Sequence, residues 1–167
     1  HDKRQKLSIQ GIVFSLDDKW TRYYSRAPVT RETGGKQEFQ HHLDKLMESG
    51  LKKYLEVNKV LPDKIVVFRD GVGDSMLSYV KETEIKSMKS AFSRMGENYK
   101  PHFKFIVVKK RITTRFFKRS PRGLQNPTPG TVVDTTVTKP GFYDFFLVSQ
   151  SVGQGTVTPS HYNVIHD

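Results

Sequence analysis

The sequence predicts a mixed α/β domain, a β-sheet with helices packed on it. Short apolar stretches bounded by turn residues recur along the chain, the pattern of strands. Two longer segments instead carry apolar residues at helical spacing. Strands therefore come before and between helices, which is the order of a mixed sheet with helices on it. At 167 residues the chain is one domain, long enough to bury a sizeable core.

"SIQGIVFSL" (8–16) reads as a strand, "DDK" as the turn after it, and "WTRYYSRAPV" (20–29) as the returning strand of a hairpin. "RETGGK" is a turn with two glycines. From Gln37 to Val57 the apolar residues Phe39, Leu43, Leu46, Met47, Leu51, Tyr54 and Leu55 fall at helical spacing, with Gly50 a minor cost. Residues 64–69 form a continuous apolar strand, expected to be buried on both faces. A second helix is expected from Ser75 to Met95, with Ile85, Met88, Phe92 and Met95 on one side. "HFKFIVVKK" and "ITTRFF" read as two strands or one bent strand, and "KRSPRGLQNPTPG" as a long loop. "TVVDTTVT" and "YDFFLVSQ" are the last clear strands, and the loop "SVGQGTVTPS" leads to "HYNVIHD". There is no internal repeat or low-complexity tract.

The formal charge of +11 suits a polyanionic partner. Residues 100–123 supply most of it, with nine basic residues and no acidic one. In "KKRITTRFFKR" the charges alternate with β-formers and aromatics, which fits a nucleic-acid surface better than a solvated lysine face. With no cysteine there is no disulfide framework and no Cys-based zinc site. No apolar run approaches the ~18 residues of a membrane span. "HDKRQKLS" has no apolar core of a signal peptide.

Asp70 stands where an apolar strand runs into "RDGVGD". A phosphate loop is a poor match, because a dinucleotide fingerprint needs glycine where Met76 stands and the Gly-Lys-Ser/Thr of a P-loop is absent. Asp-Gly is a common turn pair, so the residues alone leave Asp70 a turn residue or a catalytic carboxylate. His41 and His42 are neighbours on a helix and point about 100° apart, so they share no metal. His161 is a lone histidine in a late loop, and Glu38 at a helix start suits the helix dipole.

"VVFRDGVGDSML", "VVKKRITTRFF", "NPTPGTVVDTTVTKPGFYDFFLVSQS" and "GTVTPSHYNVIHD", in this order, resemble the PIWI domain of Argonaute and Piwi proteins. "RDGVGD", "YDFFLVSQ" and "HYNV" are closer to the Piwi clade, and Ser75 departs from its usual glycine. The resemblance implies an RNase H-like mixed β-sheet flanked by helices, and RNA-guided cleavage of RNA. It implies an Asp-Glu-Asp-His tetrad holding two Mg²⁺ or Mn²⁺ ions about 3.5–4 Å apart. Asp70 and His161 fall on the second Asp and the His, and Glu38, in Gln37-Glu38, on the mobile-finger Glu. The spacing of 32 residues from Glu38 to Asp70 is that of the pattern. The first Asp is expected about three residues before a position matching His1, so residues 1–167 are expected to be a PIWI domain short of its N-terminal catalytic strand and its C-terminus. The chain alone is then expected to be inactive and its parent active.

The resemblance implies that Lys109, Lys110, Arg111 and Arg115 hold RNA phosphates, while base pairing supplies sequence choice. The implied partners are a guide small RNA of the piRNA type, its complementary target RNA and protein silencing factors. The implied setting is the germline, in cytoplasm, perinuclear granules or nucleus. Two functions follow: a guided endoribonuclease in gene and transposon silencing, or a guided RNA-binding silencing domain that does not cut. A plain basic RNA-binding domain would have no reason to keep Glu38, Asp70 and His161 in these contexts.

Overall fold

The computed structural model describes residues 7–9, 11–31, 42–121, 123–141 and 143–167. The chain divides into two compact units, residues 1–65 with 78–102, and residues 66–77 with 103–167.

The first unit begins with four short strands: β1 (Leu7–Ile9), β2 (Ile12–Ser15), β3 (Tyr23–Arg26) and β4 (Val29–Arg31). β1 pairs with β4 and β2 with β3, both antiparallel. Ile9 faces Val29 and Ile12 faces Arg26, so the two ladders share one register. The expected hairpin is thus present. The Asp17 carboxylate ties the turn by accepting from the backbone N–H groups of Thr21 (2.9 Å) and Arg22 (3.1 Å).

Helix α1 (Leu43–Asn58) buries Leu43, Leu46, Met47, Gly50 and Leu51, the i, i+3, i+4, i+7, i+8 stripe of a core-facing helix. The sequence places its start at Gln37, but residues 37–41 lie outside the described residues. The hairpin packs on α1 through Phe14, whose ring would lie 2.4 Å from a Cβ at Gly50. Gly50 is therefore required by the close approach of an aromatic ring. Tyr24 and Ser49 share a hydroxyl hydrogen bond of 2.8 Å, and the Asn58 amide donates to Leu16 O at 3.0 Å.

The second predicted helix is divided. A 3₁₀ turn (Asp74–Met76) leads into α2 (Leu77–Glu82), and α3 (Glu84–Met95) follows Thr83. The Thr83 hydroxyl donates to Tyr79 O at 2.5 Å, a back-bond that bends helices. α3 packs on α1 with Ile85, Met88, Ala91 and Phe92 buried, and Arg94 pairs with Glu48 (2.6 Å) and Asp44 (3.0 Å).

The second unit is built on a five-stranded sheet of order β5-β6-β11-β10-β9. These strands are β5 (Lys64–Asp70), β6 (His102–Lys109), β9 (Thr131–Val133), β10 (Tyr143–Val148) and β11 (Ser160–His166). One face buries Phe103, Phe105 and Val107 of β6 with Phe146 and Val148 of β10. β5 departs from expectation, since it is an edge strand with Val66 and Phe68 exposed. Its apolar run is continuous, but in this structure only alternate side chains are partly covered. Residues 112–117 form no strand, and the expected loop 118–130 contains a small hairpin of β7 (Lys118–Ser120) and β8 (Gly123–Gln125). The expected strand 131–138 ends at Val133. Among the described residues no helix is long and apolar enough to cross a membrane.

Gly50→Ala tests the hairpin contact. An ordinary helix gains about 0.5–1 kcal/mol from this change. Here overpacking against Phe14 should cost about 1–3 kcal/mol and lower the melting temperature. A melting temperature unchanged or raised would contradict the packing.

Candidate functional site

The sheet brings four polar side chains to one end. β5 stops at Asp70 and β6 at Lys109, while β11 starts with Ser160 and His161. His161 lies directly opposite Lys109 on β6 and Phe146 on β10. The next residue, Lys110, reaches the neighbouring strand end, with Nζ 2.6 Å from Asp70 Oδ2. Ends of strands next to turns are where open sheets commonly bind ligands.

Asp70 is a turn residue by geometry. Its Oδ1 accepts the Gly71 N–H at 2.8 Å, and Gly71 has φ 79°, a conformation that favours glycine. Its side chain is 58% exposed, so it is also open to a ligand. The Lys110 ammonium, foremost, holds its carboxyl below the usual value, the Gly71 N–H adding to this and partial burial opposing it. Asp74, in the following 3₁₀ turn, is ion-paired with Lys109 and lies 3.3 Å from Lys139 Nζ. Lys109 foremost, then Lys139, hold its carboxyl low against partial desolvation. The sequence reading did not single out Asp74. Its signal is a second acid four residues after Asp70 in the same turn.

His161 is buried rather than a loop residue. Its Nε2 lies 2.6 Å from Asp144 Oδ2, and its ring stacks on Phe146 at 4.2 Å and 7°. Asp144 is 3% exposed, and its Oδ1 accepts the Lys139 N–H at 3.2 Å. Asn163, directly across from Asp144, is also buried, and its Nδ2 has no hydrogen-bond partner among the described residues. Sequence reasoning missed Asp144. In "YDFFLV" it has the same parity as the inward Phe146 and Val148, and a charge at an inward position of an alternating strand is the signal.

The four predicted phosphate-binding cations divide. Lys109 and Lys110 are engaged by Asp74 and Asp70. Arg115 donates to Ile112 O and Thr114 O of its own loop, both at 2.8 Å, and Arg111 is exposed. Glu38, with Gln37 and His41, lies outside the described residues. His42 immediately precedes α1.

Among the described residues no group of three or more His, Asp or Glu could hold a metal ion. Two donors of suitable kind are present, the open Asp70 carboxylate and the His161 ring, whose Nδ1 has no partner among the described residues. The carboxylate oxygen suits Mg²⁺ or Mn²⁺, the imidazole nitrogen is the softer donor of the two, and Lys110 now places one positive charge on the carboxylate where such an ion would sit.

Because both carboxyls are held low, their pairing stabilises the fold above the ordinary carboxyl pKa and is lost as pH falls through the folded values. Lys110→Met should therefore lower the melting temperature slightly at neutral pH, and the gap from wild type should close below about pH 4. A gap equal at about pH 3 and pH 7 would contradict the pairing.

The Piwi domain family matches residues 1–167. "Piwi-like protein 1" of Gallus gallus is 46% identical over 162 residues, 97% of this chain and 18% of that protein. The crystal structure of Drosophila Piwi superposes with a TM-score of 0.76 at 32% identity, covering 96% of this chain and 22% of that one. Kluyveromyces polysporus Argonaute with a guide RNA superposes with a TM-score of 0.81 at 31% identity, covering 98% and 21%. The chain thus spans about a fifth of the length of these relatives. Its mixed sheet with helices is the RNase H-like fold expected from the sequence. The chain belongs to the Piwi domain family, and its similarity runs to the Piwi-like proteins.

Proposed function

We propose that in the intact protein this domain holds a small guide RNA of the piRNA type, paired to a target RNA, and cuts the target. What carries the reading is the strand-end arrangement: Asp70 and His161 at one end of a single sheet, with Lys109 and Lys110 between them. The similar Kluyveromyces polysporus Argonaute, solved with a guide RNA, supports the choice of ligand.

Asp70 and His161 would hold divalent cations, Mg²⁺ or Mn²⁺, with Glu38 completing the set. Such ions lower the pKa of an attacking water and neutralise charge on the leaving oxygen. The chain's own part is to position and to balance charge. The β5 end fixes the Asp70 carboxylate on a rigid element while the turn stays open to substrate. The Lys110 ammonium stabilises the ionised form of that carboxylate before anything binds. Lys109, Lys110, Arg111 and Arg115 would take backbone phosphates, which carry no sequence information, so choice of target is left to base pairing. Phosphates arriving at Lys110 and Lys109 compete with Asp70 and Asp74 for them, which would free Asp70 as the duplex seats.

One observation favours a second reading, a guided RNA-binding domain that silences without cutting. The Asp70 carboxylate is already ion-paired with Lys110.

Asp70→Ala in the intact protein separates the two. Partners that merely orient a metal ligand are worth about 10–100-fold, so losing the ligand should lower single-turnover cleavage by more than about 100-fold. Guide loading and target binding should stay within a few-fold of wild type. Undiminished cleavage would exclude Asp70 as a ligand, and loss of loading would leave it a turn residue supporting the fold.

A further inference from the structure

We infer that Asp144 is a positioning residue that holds His161 by Nε2 and so presents Nδ1 to the strand-end site. This rests on the reading of His161 as a metal ligand. A carboxylate oxygen only accepts, so the 2.6 Å contact requires the hydrogen on Nε2. In the neutral ring the lone pair is then on Nδ1, which has no partner among the described residues.

Three constraints fix the ring. The β10–β11 register sets Asp144 opposite Asn163, two residues along from His161, within diagonal reach. Phe146 stacks flat on the imidazole and fixes its plane. The Lys139 N–H holds the other carboxylate oxygen, so Asp144 cannot turn away without orphaning a backbone donor. Rotating the ring would take Nε2 away from Asp144 Oδ2 and leave that oxygen without its donor, on a face shared with Phe105 and Val107, both fully buried. An unpaired charge there is costly. Carboxylates that accept from the far nitrogen of a ligating histidine fix its tautomer and aim, which is the role assigned to Asp144.

A buried pair can also serve the fold alone, and a double-mutant cycle distinguishes the two roles. The intact protein is loaded with guide and a target blocked against cutting, and Mn²⁺ affinity is measured by electron paramagnetic resonance. Asp144→Asn should weaken Mn²⁺ binding by about 10–100-fold while guide affinity is unchanged. Combined with His161→Ala, it should add nothing to the loss from His161→Ala alone. Wild-type Mn²⁺ affinity in Asp144→Asn, with His161→Ala weakened, would overturn the positioning role and leave His161 a ligand. Additive losses would make Asp144 structural. An unweakened His161→Ala would overturn both readings. Should Asp144→Asn not load guide, ¹⁵N-histidine resonances of the wild-type protein decide, the His161 signal being the one lost in His161→Ala. Hydrogen on Nε2 supports the assignment, and hydrogen on Nδ1 overturns it.

Discussion

The site depends on the register of three strands, β6, β11 and β10. His161 faces Lys109 on one side and Phe146 on the other, and Asp144 reaches it along the diagonal. A slip of one residue in β11 would turn every side chain to the opposite face. Tyr162 would then enter the buried face and His161 would leave Asp144 unpaired. The register is held by apolar alternation in β10 and by the loops around it. Asn126 ties residues 118–130 to the loop before β11, donating to Gly155 O at 2.9 Å and accepting the Val157 N–H at 3.1 Å.

Electrostatics then set what the strand end can accept. Asp70 and Asp74 face Lys109, Lys110 and Lys139, so the cluster carries more positive than negative charge. The carboxylates stay ionised without making the end repel a phosphate backbone. These pairs are mostly exposed, so each contributes little to stability and can exchange partners readily. The buried Asp144–His161 pair is the opposite case, since removing either partner strands the other in an apolar setting.

Much of this was legible in the sequence. The Asp-Gly turn at Asp70 follows from residue chemistry, and the spacing of Leu43, Leu46, Met47 and Leu51 gave the buried face of α1. The boundaries of β10 lie close to the stretch read as a strand, whereas β11 falls where the sequence shows no clear strand. Other features depend on tertiary neighbours that one sequence does not display. The run at 64–69 reads the same whether its strand is central or, as here, at an edge. Gly50 looks like a flaw until Phe14 is brought over it. "KRSPRGLQ" hides a hairpin because Pro and Gly mark both loops and tight two-residue turns. Asp144 was passed over because a single acid between aromatics stands out only once the inward parity of its strand is fixed. The burial of His161, read as a loop residue, follows from the same strand pairing.

The central claim is that Asp70 and His161 serve one metal-dependent site, with His161 turned so that Nδ1 faces it. The most direct measurement is anomalous scattering from Mn²⁺ in crystals of the intact protein with guide and target bound. The account predicts a peak within coordination distance of the Asp70 carboxylate, with a metal at Nδ1 of His161 and Lys110 displaced from Asp70. A peak at Nε2 of His161, or none near Asp70 while Lys110 keeps its ion pair, would contradict it.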